Sequence, residues 1–311
     1  MQQVLSIILP VFGLIGIGWL ATRFGALSHV AGAGLSSYVI KLAIPVLIFR
    51  TLSTGQLPHA DPWNYWLAYF TGVAIVWVIA TAAAQRIFGT DRTEAVIYGF
   101  CAGQSNTVQL GIPLIVTVYG DDGAVPLFLL IAVHLPLVMT LATIQIALAR
   151  GESGVKGLLR GLRTLAVNPI IIGILLGGIA KLLDITASGA IAVMIDQISA
   201  SAAPVALITM GIAIDQYGLR GHPGPLAVIV LLKMIVHPAI VWFMAFHVLD
   251  MPPMFSAVAV LFAALPSGVN SYLVAVQYKT GEALSAGSVS LTTMVSLFTM
   301  SFWLWITQIS M

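Results

Sequence analysis

Two short polar stretches lie inside apolar segments of this chain, and they carry the residue types that could bind a small solute. The first, at 104–113, reads Gln-Ser-Asn-Thr-Val-Gln-Leu-Gly-Ile-Pro, and the second, at 265–272, reads Leu-Pro-Ser-Gly-Val-Asn-Ser-Tyr. In hydrocarbon, an interrupted helix is tolerated only inside protein or beside a water-filled cavity. A pair of such interruptions, in corresponding positions of two halves, is the sequence pattern of a transporter's binding site.

The chemistry of the two stretches favours an anion held without a fixed charge. Uncharged side chains can donate hydrogen bonds, glycine lets the backbone approach closely, and the start of each half-helix is a positive dipole end. Either stretch alone could be a proline kink with locally bonded side chains, but the pair favours a binding site. The candidate substrate-binding residues are Asn106, Thr107, Gln109, Gly111, Pro113, Pro266, Ser267, Gly268, Asn270, Ser271 and Tyr272.

Four basic or titratable side chains also lie inside apolar segments, where charge is costly. Lys41 and Lys233 have two interpretations, a positive lining that attracts a carboxylate or a lysine that snorkels or pairs with a carbonyl. His134 and His237 could relay protons, or they could be hydrogen-bonded packing residues. All four are candidates for attracting charge or coupling transport to protons.

These residues must be positioned by membrane-spanning helices. The chain has 311 residues, 59% hydrophobic and 8% charged, whereas soluble domains have about 25% charged residues. About 20 apolar residues in a helix cross a bilayer core of ~30 Å. The apolar runs predict an all-α polytopic membrane protein with ten transmembrane helices, numbered here as spans 1–10, at 2–22, 30–50, 63–86, 94–119, 123–149, 165–183, 188–214, 224–248, 254–278 and 284–308.

The spans contain an internal repeat. Pro10 and Pro169 are offset by 159 positions, as are Pro45 and Pro204, and the same offset carries the first polar stretch onto the second. Each repeat has five spans, and an odd number inverts the second copy across the membrane. The two interrupted spans, 4 and 9, are then expected to meet at their breaks.

The repeats occupy 1–149 and 165–311, and we predict that a cytoplasmic loop at 150–164 joins them. Of the thirteen lysines and arginines, nine lie in loops on the side of this connection, and only Arg50 and Lys181 lie on the other. Because basic residues concentrate in cytoplasmic loops, both termini are predicted to be outside the cytoplasm.

Several function classes find no support. There is no phosphate-binding Walker loop and no His-Glu-x-x-His pair, so the sequence predicts no cofactor, no metal centre and no ATP-driven transport. A net charge of +2 without a basic stripe does not suggest nucleic acid. No acidic pair occupies spans 4, 5 or 9, which argues against a sodium/proton exchanger. The Gly173-x-x-x-Gly177 pattern has two interpretations, a homodimer face or close packing inside the monomer.

The motifs resemble the auxin efflux carrier family, which includes plant PIN-type carriers and bacterial organic-acid carriers. The resemblance rests on Asn-Thr-x-x-x-Gly-x-Pro at 106–113, Pro-x-Gly-x-x-x-Tyr at 266–272 and the segments around Pro45 and Pro204. It covers nearly the whole chain. It implies two inverted five-helix repeats whose helices 4 and 9 cross at their prolines. It also implies a scaffold of helices 1, 2, 6 and 7, with helices 3–5 and 8–10 moving as an elevator-like transport domain.

By this resemblance, Asn106, Pro113 and Pro266 match the crossover positions that line the family's site. The short connection at 150–163, unlike the long loop of plant members, fits a prokaryotic carrier in the bacterial inner membrane. The implied function is secondary-active or potential-driven transport of small organic anions, carboxylates such as malate, malonate or auxin-like acids, and not an enzymatic activity. The alternatives are a sodium- or proton-coupled carrier of another solute class, and a sensor or partner subunit that does not transport.

Overall fold

The computed structural model describes residues 2–55 and 62–310, which fold almost wholly into helices. In chain order these are α1 (Gln2–Arg23), α2 (His29–Thr54), α3 (Pro62–Arg86), α4 (Arg92–Gly103), α5 (Thr107–Gly120), α6 (Asp122–Ala149), α7 (Gly154–Ala166), α8 (Pro169–Leu182), α9 (Gly189–Tyr217), α10 (Pro223–Val248), α11 (Pro253–Ala264), α12 (Val269–Tyr278) and α13 (Glu282–Ser310). Six of them, α2, α3, α6, α9, α10 and α13, are long and apolar enough to cross a membrane. The prediction of an all-helical membrane protein is confirmed.

Both predicted interruptions are present. The chain leaves helical geometry between α4 and α5 and again between α11 and α12, so that two segments of membrane length are each divided into two short helices. α4 and α11 are the most enclosed elements, because every described side chain of Ala95–Gly103 and of Phe255–Ala264 is buried. A helix that is apolar on all sides belongs in the interior, and here the interior positions the two breaks.

Prolines shape three of the helices without ending them. The π-helical turns at Val39–Ala43, Thr107–Gly111 and Leu232–Val236 each end two residues before a proline. Proline lacks an N–H group and its ring crowds the carbonyl four residues earlier, and a wider turn relieves that clash. Lys41 and Lys233 lie in two of these turns.

The connection predicted as a loop at 150–164 is mostly helical, since α7 covers most of it. Apolar residues recur in α7 at the spacing of one helix face, with Val155, Leu158 and Leu162, while Lys156 and Arg160 lie between them. That amphipathic pattern is a helix signal. The predicted span that follows begins later than expected, at Pro169.

The helices pack in two groups. In one group α9 packs against α1 and α2, and α2 packs against α8; in the other, α3–α6 pack with α10–α13. In the first group, a Cβ added to Gly173 would lie 2.9 Å from the Cα of Pro45, and one added to Gly177 would lie 3.1 Å from the Cα of Phe49. The Gly173-x-x-x-Gly177 face is therefore covered by α2 of the same chain. This agrees with the interpretation of close packing inside the monomer.

Candidate functional site

The two breaks cross and hydrogen-bond to each other. The N–H of Asn106 donates to the carbonyl of Pro266 at 2.9 Å, and the N–H of Gly268 donates to the carbonyl of Gln104 at 3.1 Å. These bonds flank an antiparallel bridge between Ser105 and Ser267. The extended segments thus satisfy each other's backbone groups, which is what an unwound segment away from water requires.

Two glycines contact side chains closely at the crossing. A Cβ on Gly268 would lie 1.7 Å from Oε1 of Gln104, and one on Gly111 would lie 2.6 Å from Cδ1 of Leu265. Real Cβ contacts of that length do not occur, so a larger residue at either position would require the side chain of Gln104 or of Leu265 to move.

Each break also donates a side-chain hydrogen bond to the end of the other broken helix. The Ser105 hydroxyl donates to the carbonyl of Phe262 at 3.0 Å, and the Ser267 hydroxyl donates to the carbonyl of Cys101 at 2.7 Å. The last carbonyls of a helix have no partner within it, so the two serines cap α11 and α4 reciprocally.

Lys233 lies directly behind the crossover and is fully buried. Its Nζ is 2.7 Å from Oγ of Ser105, 3.1 Å from the carbonyl of Ala263 and 3.1 Å from Nδ1 of His237. Among the described residues, no ion pair includes Lys233. Nζ is thus held by a hydroxyl, a carbonyl and an imidazole.

Tyr69 of α3 and His134 of α6 complete this buried cluster. The Tyr69 hydroxyl is 3.1 Å from Nδ1 of His134 and 3.3 Å from Oγ of Ser105. The N–H of Ser105 donates to Nε2 of His134 at 3.4 Å, so Nδ1 carries the imidazole proton and donates to Tyr69. The ring of Phe262 packs edge-on against both Tyr69 and His134.

On its other face the crossover borders a cavity of about 90 Å³, roughly the share of liquid volume of three water molecules. Two buried acceptors in its wall, Oε1 of Gln104 and Oε1 of Gln109, have no hydrogen-bond partner among the described residues. The cavity is lined by residues of α2, the first break, α5, α6, α8 and α12, namely Ile40, Gln104, Asn106, Thr107, Val108, Gln109, Leu135, Asn168, Ile170, Val269, Asn270 and Leu273.

The two half-helices start at this cavity in different ways. At α5, Oδ1 of Asn106 accepts from the N–H of Gln109 at 3.4 Å, while its Nδ2 contacts Sδ of Met210 at 3.2 Å. At α12 the N-cap is Gly268, which has no side chain, so the first N–H groups beside Asn270 have no side-chain cap. Such groups are available to an anion.

The predicted candidates thus divide by position. Asn106, Thr107, Gln109 and Asn270 line the cavity. The remaining candidates at the breaks hold the structure together and do not line the cavity. Pro266, Ser267 and Gly268 form the crossing. Ser271 donates to the carbonyl of Gly268, and Gly111 and Pro113 are buried at the start of α5.

Four further candidates lie off the cavity. The Tyr272 ring packs on Tyr217 with centroids 4.5 Å apart, and Lys41 is exposed on α2. His237 and Lys233 belong to the buried cluster behind the crossover.

Sequence reasoning missed Tyr69, Asn168 and the roles of Gln104 and Ser105. Gln104 and Ser105 lie in the first polar stretch. Asn168 directly precedes Pro169, a pattern that indicates a helix N-cap, and Asn168 is the N-cap of α8. Tyr69 carried no local signal, since it is one aromatic residue in an apolar span.

Comparison with known proteins gives the family. The family model described as "Membrane transport protein" matches residues 3–304. A protein named "Putative malonate transporter" from Rhizobium meliloti (strain 1021) is 25% identical over 303 residues, covering 97% of this chain and 95% of that protein. An "Uncharacterized transporter" from Methanothermobacter thermautotrophicus is 23% identical over 303 residues, covering 95% of this chain and 96% of that protein.

A more distant similarity covers only part of the chain. The "Lysosomal cholesterol signaling protein" of Mus musculus is 25% identical over 114 residues, which are 36% of this chain and 13% of that protein. The family model, by contrast, extends over nearly all of the sequence, including both breaks. The chain therefore belongs to the membrane transport protein family, that of the auxin efflux carriers, as its two proline-containing breaks predicted.

Proposed function

We propose that the protein is a secondary-active or potential-driven carrier of small organic anions, with carboxylates of malonate size as the substrate class. The observation that carries this proposal is the convergence of two half-helix starts, α5 and α12, on one cavity at the crossover, whose wall includes Asn106, Gln109 and Asn270. Positive dipole ends favour an anion there. The extent of similarity to the malonate-named relative supports the substrate class.

The amides of the wall can adapt to an anion. Nε2 of Gln109 is 3.5 Å from Oγ of Ser36, while its Oε1 has no partner. Amide oxygen and nitrogen are assigned by their surroundings. Turning this amide by 180° lets the Ser36 hydroxyl donate to Oε1 and leaves the two N–H bonds of Gln109 without a protein partner, so that they are free to donate to an anion. Asn270 supplies a second amide on the facing half-helix.

The architecture that we propose is two inverted five-helix repeats in the bacterial inner membrane, with both termini outside the cytoplasm. The offset of 159 positions and the reciprocal capping by Ser105 and Ser267 support the repeat. α1, α2, α8 and α9 would form a scaffold, and the other packing group would carry the crossover across the membrane as an elevator. The cavity lies between the two groups, since Ile40, Asn168 and Ile170 border it from the scaffold side.

A signalling role is the second candidate, and the partial similarity to the mouse signalling protein is what favours it. A sensor needs a ligand site but does not need two unwound helices that cross inside the protein. Net solute movement separates the two functions.

The test is transport by purified protein in proteoliposomes, with radiolabelled mono- and dicarboxylates. We expect saturable uptake of at least one C3–C4 carboxylate, competed by the unlabelled acid and absent from protein-free vesicles. Binding of the same acid without any vesicle accumulation would favour the sensor. Absence of both binding and transport for the whole panel would contradict the proposed function.

A further inference from the structure

The end of α11 differs from the end of α4 in having a buried lysine side chain, that of Lys233, among its hydrogen-bond donors. At the end of α4 and in the break that follows it, the side-chain donors are neutral: Ser267 donates to the carbonyl of Cys101, and Gln104 donates to the carbonyl of Ser105. At α11 the carbonyl of Ala263 accepts from Nζ of Lys233, which has no solvent exposure. The crossover is thus nearly symmetric in its hydrogen bonds but not in its charge.

The surroundings of Nζ match those of a bound cation. In carriers with broken helices, unwound carbonyls and the C-terminal ends of half-helices coordinate the coupling cation, and a helix C-terminus favours positive charge. Lys233 offers three N–H donors and has three partners, Ser105, Ala263 and His237. The Ser105 hydroxyl donates its own proton to Phe262 and is left to accept from Nζ.

Nζ of Lys233 has no acidic partner in the described part of the chain. The titratable side chains that face this cluster are Tyr69 from α3, His134 from α6 and His237 from α10 itself. None of them is a carboxylate. In contrast, Ser105 joins the ammonium directly to the cavity wall, because its two neighbours Gln104 and Asn106 both line the cavity.

We propose that the Lys233 ammonium is a resident cation of the crossover, occupying the place of an exchangeable coupling ion and supplying the positive charge that holds the anion. This inference deepens the proposed function and rests on it for the substrate. A buried charge without a counterion in a low-dielectric interior acts strongly on a nearby opposite charge. An anion in the cavity provides that counterion, so sodium is not required.

The experiment compares three substitutions of Lys233 with a matched control. Lys233→Met removes the charge at similar length, Lys233→Arg keeps it, and Lys233→Ala opens space for an added amine. Lys181→Met, at the opposite end of α8 from Asn168, removes a lysine outside the crossover. Uptake is measured in sodium and in N-methyl-D-glucamine, and unfolding temperature is measured in detergent.

We expect wild-type uptake to be equal in the two media, Lys181→Met to match it, and Lys233→Met to lose at least tenfold. Lys233→Arg should retain sodium-independent uptake at a reduced rate. For Lys233→Ala, ethylammonium should raise both uptake and unfolding temperature, whereas tetramethylammonium, which has no N–H donor, should raise neither.

The unfolding temperature separates this inference from the proposed function. If wild type transports no carboxylate, the carrier proposal fails, while selective stabilisation of Lys233→Ala by ethylammonium still supports the cation site. If Lys233→Ala does not fold, the sodium dependence of wild type and the transport by Lys233→Arg remain informative. Sodium-dependent wild-type uptake, or Lys233→Met with wild-type uptake and stability, would overturn the inference.

Discussion

Asn106 and Asn270 line the same cavity. Among the described residues, only the Asn106 side chain has polar contacts: it accepts from the N–H of Gln109 and contacts the sulfur of Met210. Asn106→Ala removes a helix N-cap, which costs about 0.5–2 kcal/mol of stability, and should also weaken binding. Asn270→Ala should leave stability nearly unchanged and lower anion affinity tenfold or more, since a hydrogen bond to a charged group contributes about 1.5–3 kcal/mol. Binding titrations with malonate and unfolding temperatures measure both effects.

Tyr272→Phe is the matched control for this pair, because the Tyr272 ring packs on Tyr217 and does not line the cavity. Its affinity should equal that of wild type. Unchanged affinity in Asn106→Ala and Asn270→Ala alike would remove the basis for placing the site at the crossover.

Ser105 and Ser267 make equivalent bonds across the crossing, but only Ser105 also contacts Lys233. Both alanine substitutions lose one hydroxyl-to-carbonyl hydrogen bond. Ser105→Ala in addition leaves a buried ammonium with one partner fewer, which costs about 1–3 kcal/mol or more. We therefore expect a larger drop in unfolding temperature for Ser105→Ala. An equal or larger drop for Ser267→Ala would show that the lysine contact contributes nothing to stability.

At the residue scale, the local sequence was enough to predict the two breaks and the close approach at Gly111 and Gly268, since polar residues, glycine and proline stand together in both stretches. The local sequence could not predict the contact of Lys233 with Ser105. Those residues are 128 positions apart, and only the packing of α10 behind the crossover brings them together.

At the scale of elements, α7 is held on α6 by a close glycine contact. A Cβ on Gly157 would lie 2.7 Å from the Cα of Ile144, a backbone atom that cannot move aside locally, whereas a Cβ on Gly154 would meet nothing closer than 3.7 Å. Gly157→Ala should lift α7 from α6 and increase tryptic cleavage at Arg160 or Arg163, with a lower unfolding temperature. Gly154→Ala should leave cleavage unchanged or reduced, because alanine favours helix over glycine by about 1 kcal/mol. Equal cleavage in the two variants would contradict this packing.

Helix positions were predictable where a long apolar run marks a helix of membrane length. The two interrupted segments were predictable because proline and polar residues are rare in such runs. α7 was missed for a physical reason. Its basic residues, Lys156, Arg160 and Arg163, mark a loop when charge alone is considered, but their spacing leaves one apolar helix face. That face becomes a helix signal only when periodicity is considered together with charge.

For the molecule as a whole, the distribution of basic residues predicts its orientation. Lys156 on α7 should be cytoplasmic, and Asp122 at the start of α6 should be external. Single cysteines at these two positions, in a Cys101→Ser background, should react oppositely with a membrane-impermeant thiol reagent added to intact cells. Position 122 should be labelled and position 156 protected until the membrane is permeabilised. Labelling of position 156 from outside would reverse the orientation.

The driving force is a property of the whole carrier. Hard cations need several oxygen ligands, and at the crossover the described residues offer no carboxylate, while an ammonium already occupies the carbonyl end of α11. We therefore expect transport to follow the membrane potential, which acts with ~2.3 kcal/mol per elementary charge per 100 mV, or the proton gradient. An inside-negative potential should accelerate export of a net anion, and proton symport should reverse that direction. Proteoliposomes with imposed potassium-diffusion potentials, at fixed pH and without sodium, measure the first effect, and a pH step at zero potential measures the second. Transport that stays silent under both conditions until sodium is added would contradict a crossover that carries its own cation.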